Sequence, residues 1–210
     1  MAALWVSAAY GSASFADDGE WKSSAIERSG VNIAQGTQLF YESYSTVHPL
    51  RPPIREDYAI TIVEKWAYGV IFQYTINQSV LGKETGIQAL SSLDACTSLD
   101  PWWEPTETDY DGRCELWVSP QHLIALLTEG KTYLAVDTLA RKDSVVRWEY
   151  EGRSSYRLKI DGRPVSLDAI VATTSRGDRF VIYADVENPL ILSAKSSYFS
   201  WNMTAIVHER

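Results

Sequence analysis

The densest group of residues that could do chemistry lies at residues 100–111, where carboxylates alternate with aromatic rings. Trp102, Trp103 and Tyr110 could stack on a sugar ring or anchor a partner protein. Asp109 and Asp111 supply oxygen ligands of the kind that Ca²⁺ prefers, but the spacing of a full EF-hand loop is missing. We therefore predict ligand or partner contact for the three rings, and only weak calcium candidates in the two aspartates. The alternative is an acidic loop whose rings pack back onto the protein.

Two cysteines, Cys96 and Cys114, bracket this acidic aromatic segment. In a secreted protein such a pair is expected to form a disulfide. Closing the loop would contribute on the order of 3 kcal/mol in the chain-entropy model. The alternative is two unrelated buried thiols. Two cysteines without a nearby histidine do not make a tetrahedral metal site, so we predict no metal centre here.

The sequence contains little evidence of a catalytic site. The three histidines, His48, His122 and His208, are scattered along the chain. Neither a Gly-x-Ser-x-Gly elbow nor a glycine-rich phosphate loop is found in the sequence. We predict no catalytic residue and no cofactor. An unrecognised hydrolase stays as an alternative, and it would need a buried carboxylate with a raised pKa inside a cleft.

The elements that must position these residues are mainly strands. Stretches rich in β-branched and aromatic residues recur at residues 37–47, 58–66, 70–77 and 85–90 and again from 132 to 207, with glycine turns at Gly152, Gly162 and Gly177. One helix is predicted, because Ser119 can cap it, Pro120 suits its first position and Gly130 can end it. We predict a mainly β fold: a curved antiparallel sheet, sandwich or half-open barrel with one short helix.

Composition narrows the class of partner. The 210 residues carry a formal net charge of −8, which argues against nucleic acid and anionic membrane surfaces, since both need a basic face. No apolar run is long enough for a transmembrane segment. Eight Trp and twelve Tyr exceed ordinary usage. Most should fill the core, but Trp117 and Trp148 are further candidates for ligand or partner contact.

The first residues resemble the end of a signal peptide. Residues 1–16 are uncharged and apolar, and the small residues Ser14 and Ala16 stand where signal peptidase accepts them, just before Asp17. A basic first region and the usual length are missing. We predict a truncated signal peptide over residues 1–16, a single β domain over residues 17–210, and a periplasmic or extracellular location.

Four stretches resemble an uncharacterised family of bacterial secreted or periplasmic β proteins. They are residues 36–41, residues 116–120 together with 127–131, residues 156–162, and residues 183–192 with their Asn-Pro-Leu-Ile-Leu run. The resemblance implies the fold and an envelope location. It transfers no functional residue, because no activity is assigned to that family.

These observations favour a non-catalytic secreted or periplasmic β module that binds an apolar or amphipathic ligand or an envelope polymer. Candidate partners are a lipid, another amphipathic molecule or a polysaccharide, held in a cavity lined by residues such as Phe72, Tyr74, Trp117 and Trp148. The first alternative is an interaction or structural subunit of a cell-envelope assembly, which would bind an envelope protein through exposed aromatics. The second is the hydrolase.

Overall fold

The computed structural model of the protein describes residues 30–45, 54–67, 69–78, 82–99, 108–109, 112–138, 141–197 and 199–209. The predicted signal peptide over residues 1–16 lies outside the described residues.

The first half of the chain forms four consecutive strands: β1 Gln38–Ser45, β2 Ile54–Trp66, β3 Gly69–Gln78 and β4 Gly82–Leu90. Each pairs antiparallel with the one before it. Buried and more exposed side chains alternate along β1, as expected for a strand with one face on the core. Every second residue of β1 is buried, including Leu39 and Tyr41. The four strands that the sequence predicts here are confirmed, with β2 and β4 starting earlier than expected.

Short elements and one helix fill the middle of the described chain. They are a 3-10 helix at Leu93–Ala95, β5 Ser98–Leu99, β6 Thr108–Asp109, β7 Arg113–Cys114 and the helix α1 Pro120–Glu129. The predicted caps of α1 are confirmed. Ser119 Oγ accepts a hydrogen bond from the His122 amide at 3.2 Å, and Gly130 ends the helix at φ 73°, a left-handed conformation that favours glycine.

The second half contains β8 Lys131–Thr138, β9 Arg141–Ile160, β10 Arg163–Thr174, β11 Arg179–Tyr183, β12 Ile191–Lys195 and β13 Phe199–Val207. The predicted turns at Gly162 and Gly177 are confirmed, since both glycines have positive φ between paired strands. The predicted turn at Gly152 is wrong. Gly152 pairs with Val171, and the register shift between Val171 and Ala172 leaves the neighbouring Glu151 as the extra residue of a bulge, so β9 runs on as one long strand.

All thirteen strands that the structure describes join in one sheet, in the order β6-β4-β3-β2-β1-β13-β12-β11-β10-β9-β8-β5-β7. Strand β13 also pairs in parallel with β9, through Ala205 with Lys159 and Ile206 with Ile160. This extra pairing closes β9 to β13 into a hydrogen-bonded circuit, so the sheet curls into a partial ring. The mainly β fold with one short helix is confirmed for the described residues.

Large aromatic side chains fill the core between the curled faces. Trp148 stacks on Phe180 with ring centroids 4.2 Å apart, and Phe72 meets Trp117 at 6.1 Å. All four rings are at most 2% exposed. The cluster draws on strands from both halves of the chain, so the two halves share one core.

The ring of Tyr74 makes Gly86 sensitive to substitution. A Cβ on Gly86 would lie 2.4 Å from the Tyr74 hydroxyl and 2.5 Å from its Cζ, and Tyr74 is fully buried. We expect Gly86→Ala to lower the free energy of unfolding by about 1–3 kcal/mol, because the ring cannot move without disturbing the core. Urea denaturation checks this, with the exposed neighbour Thr85→Ala as the control. Equal midpoints for the two variants would contradict the predicted crowding.

Candidate ligand-binding cleft

A half-open cleft of about 520 Å³ lies beside the turn between β2 and β3. Five segments line it: the residues that precede β1, the β2–β3 turn, the 3-10 helix, the residues that lead into α1, and the loop between β11 and β12. Its volume falls in the range of small-molecule sites, which is roughly 300–1,000 Å³. No two of these segments are adjacent along the chain, so the fold creates the cleft.

Trp66 supplies the exposed aromatic surface of the cleft. Its side chain is 38% exposed. It lies over Gly69, where an added Cβ would stand 2.3 Å from Trp66 Cζ2 and 2.5 Å from the Leu90 carbonyl oxygen. Glycine is therefore required at position 69, because any side chain would displace the indole or meet backbone. Trp66 therefore lies against the backbone of β3 at Gly69, its partner in the hairpin, and we call its exposed indole the platform of the cleft.

Lys65 places a cation in the same cleft. Its Nζ donates a hydrogen bond to Asn188 Oδ1 at 2.6 Å, and Asn188 itself is buried. Desolvation lowers the pKa of Lys65 from its ordinary value, while the carboxylates of Asp185 and Glu187 act in the opposite direction. A lysine with a lowered pKa in a cleft is a candidate for contact with a ligand.

Acceptor groups line the same cleft. Asp94 lies in the 3-10 helix and Glu187 in the loop before β12, and Gln35 contributes an amide. The cleft therefore offers hydrogen-bond donors and acceptors around one flat ring. Among the described residues, no group of three His, Cys, Asp or Glu side chains is placed to hold a metal ion.

The predicted disulfide is confirmed. Cys96 and Cys114 are bonded, with their Cα atoms 5.6 Å apart, and both are buried. The bridge joins the segment that carries Asp94 to the segment that carries Trp117, and both segments line the cleft. The disulfide therefore holds two walls of the cleft at a fixed separation.

His122 fastens α1 to the same region. Its Nε2 donates to the Cys96 carbonyl at 2.9 Å, and its Nδ1 accepts from the Thr132 hydroxyl at 2.8 Å. This arrangement uses the neutral ring, with one nitrogen as donor and the other as acceptor. Burial lowers the pKa of His122, although the bond to the Cys96 carbonyl opposes that shift.

Of the aromatic residues predicted for ligand contact, the structure brings Trp117 to the cleft. Trp117 lines the cleft but is only 2% exposed, so it offers little surface to a ligand. Trp148 lies in the core against Phe180 and is absent from the cleft walls. The cavity predicted from Phe72, Tyr74, Trp117 and Trp148 is not seen among the described residues, because these rings are packed into the core.

The acidic aromatic segment stays largely untested. Asp109 belongs to β6. The other candidates of that segment lie outside the described residues: Trp102, Trp103, Tyr110 and Asp111. Their predicted contact with a ligand or a calcium ion stays a prediction.

Sequence reasoning missed Lys65, Trp66 and Asn188 as site residues. The sequence pattern places Lys65 and Trp66 only in the strand over residues 58–66, and Asn188 only in the run that carries the family resemblance. A tryptophan three residues before a glycine, at the mouth of a hairpin, was the available signal. Lys65 and Asn188 are 123 positions apart, so nothing in the linear sequence connects them.

A buried carboxylate does occur, but outside the cleft. Glu115 is 1% exposed, and Gln88 beside it is equally buried. With its amide nitrogen turned toward Glu115, Gln88 donates to the two carboxylate oxygens at 2.7 and 3.2 Å. Glu115 is not among the residues that line the cleft. The pair therefore gives no support to acid–base chemistry there.

Comparison with known proteins finds no relative. No family model, no curated protein and no solved structure matches the chain. Fold and site thus define a mainly β protein with a disulfide-braced cleft, and its resemblance to the uncharacterised envelope family stays a prediction. Within the described residues, no helix is both long and apolar enough to cross a membrane.

The neutral state of His122 predicts a pH-dependent stability. Because folding lowers the pKa of His122 below its ordinary value of 6.5, its contribution is fully present above that value and is lost as the pH falls through the folded pKa. We expect the urea midpoint to fall between about pH 7.5 and about pH 5, and to fall less in His122→Gln.

Other groups also titrate in this interval, so the comparison between proteins carries the test. His208→Gln is the matched control, because His208 bonds Asp161 and Asn32 and makes no contact with Cys96 or Thr132, the partners of His122. Identical pH slopes for His122→Gln and the unmodified protein would rule out this role of the histidine.

Loss of the disulfide should weaken the whole region. We expect the double variant Cys96→Ser, Cys114→Ser to lose on the order of 3 kcal/mol of unfolding free energy, because its unfolded chain gains freedom. Urea denaturation with and without a reductant measures the effect. The reductant should lower the midpoint of the unmodified protein and leave the double variant unchanged, and a midpoint insensitive to both changes would contradict the bracing role.

Proposed function

We propose that this protein is a non-catalytic binding module of the periplasm or the extracellular space, and that its cleft holds an amphipathic ligand or a stretch of an envelope polymer. One observation carries the proposal. Trp66 lies against Gly69 with 38% of its surface exposed, and Lys65, which bonds Asn188, lines the same cleft. An exposed ring that is fixed in place loses little entropy when a ligand covers it.

The environment of the two histidines that the structure describes favours binding over catalysis. His122 is engaged by Cys96 and Thr132, and His208 by Asp161 and Asn32. Neither lines the cleft. The cleft's polar groups are instead arranged as hydrogen-bond partners around an aromatic surface, which is the composition of a recognition site.

The disulfide supports the proposed location. Bonds between cysteines persist in oxidising compartments and are rare in reducing ones. Cys96 and Cys114 are both buried and joined. A periplasmic or extracellular environment would keep this bridge intact, and with it the walls of the cleft.

A second candidate function, the subunit of an envelope assembly, rests on a different surface. Tyr133 on β8 and Val145 on β9 are 57% and 66% exposed. Val145 pairs with Ala135, and Tyr133 lies two residues before Ala135 on the same strand. The side chains of Tyr133 and Val145 are therefore diagonal neighbours on one face of the sheet. Exposed apolar neighbours of this kind suit a protein partner.

The test is native mass spectrometry of the full chain purified from its own source, before and after mild organic extraction, with co-sedimentation against insoluble envelope material. We expect an adduct or co-sedimentation with the unmodified protein, and its loss in Trp66→Ala. Tyr133→Ala is the matched control, because it removes an exposed aromatic outside the cleft.

A bare protein mass together with no co-sedimentation would overturn the cleft proposal. A co-purifying protein that is lost in Tyr133→Ala and kept in Trp66→Ala would replace it with the subunit alternative.

A further inference from the structure

We infer that the occupant of the cleft is carbohydrate: a sugar ring of an uncharged polysaccharide that stacks on Trp66. This inference rests on the proposed function and names its ligand class. It follows from three properties of the cleft, which are the platform, the balance of polar groups around it, and the packing of the neighbouring core.

The platform suits a pyranose ring. Trp66 lies against the backbone at Gly69, and 38% of the residue stays exposed, which is the surface that a ligand can cover. The face of an indole carries negative charge density and attracts groups whose hydrogen atoms carry a partial positive charge. One face of a pyranose presents several C–H groups of that character, on a surface close to the size of an indole.

The polar groups around the ring suit hydroxyl groups. Hydroxyls both donate and accept hydrogen bonds, and the cleft offers the Lys65 ammonium as a donor and the Asp94 and Glu187 carboxylates as acceptors. Among the described residues, Asn188 is the one hydrogen-bond partner of Lys65 Nζ, which leaves donor capacity for a ligand.

The charge balance disfavours an acidic ligand. Lys65 faces the carboxylates of Asp185 and Glu187, and Asp94 lines the same cleft. The negative groups near the platform thus outnumber the positive one. A fatty acid, a phosphate group or an acidic sugar would meet net repulsion, whereas a neutral sugar would not.

The core next to the cleft leaves no described space for an acyl chain. Phe72 packs on Trp117, one of the residues that line the cleft, and both are buried. The apolar interior is therefore filled by the protein's own rings. A half-open cleft with a polar rim accepts one face of a polymer, and it does not enclose an apolar tail.

Isothermal titration calorimetry of the full chain tests the inference. The probes are four uncharged hexasaccharides, namely cellohexaose, xylohexaose, mannohexaose and chitohexaose, with hexagalacturonate as an acidic sugar and laurate as an amphiphile. We expect at least one uncharged hexasaccharide to bind, and hexagalacturonate and laurate to bind more weakly or not at all.

Variants then place the binding. We expect Trp66→Ala to weaken it about tenfold or more, and Trp66→Phe to weaken it less, because a smaller ring still covers Gly69. Tyr133→Ala should bind like the unmodified protein. Urea midpoints of all variants show that they are folded, which is expected because Trp66 lies at a strand end and is partly exposed.

The outcomes separate the two proposals. Laurate binding that depends on Trp66, without binding of any uncharged hexasaccharide, would overturn the carbohydrate inference and keep the binding cleft. Hexasaccharide binding that is unchanged in Trp66→Ala would overturn this site. No binding of any probe would overturn the carbohydrate inference, while the co-purification experiment would still decide the broader function.

Discussion

The pairing of β1 with β13 is the constraint on which the rest of the structure depends. It extends from Gln38–Val207 to Ser45–Phe199 with one register shift between Phe40 and Tyr41, and so attaches the first four strands to the second half of the chain. Tyr41 reinforces it, since its buried hydroxyl donates to the Ile191 carbonyl at 3.2 Å. Without this junction, the two halves could not share one aromatic core.

The cleft is a consequence of that junction. β2 follows β1 in the sheet and ends at Trp66, while the loop before β12 comes from the other half of the chain. The bond between Lys65 and Asn188 spans the two, and the Tyr183 hydroxyl, which accepts a hydrogen bond from the Val31 amide at 3.1 Å, joins the residues before β1 to the same half of the chain. The disulfide then fixes the remaining walls. The walls of the cleft are therefore held together by bonds between segments that are distant in the chain.

The sequence predicts features formed by residues close together in the chain, and it misses the cleft, whose residues are brought together only by the fold. Ser119 and Gly130 act within a few residues, so the helix and its caps are readable, and the Cys96–Cys114 bridge follows from two cysteines and the class of protein. Gly152 misleads, because only the facing strand shows whether a glycine makes a turn or a bulge. In the sequence, Trp66 and Trp148 are both tryptophans of predicted strands, and nothing local distinguishes them. Their roles differ through burial, which depends on partners distant in the chain.

The central claim is that Trp66 is the ligand platform, and the indole N–H signals of the eight tryptophans report on it directly. We would record ¹H–¹⁵N spectra while adding an uncharged hexasaccharide, with the Trp66 signal identified by its absence in Trp66→Phe. The account predicts that this signal moves most and that the signal of the core residue Trp148 stays in place. A titration that moves other indole signals and leaves that of Trp66 unchanged would contradict it.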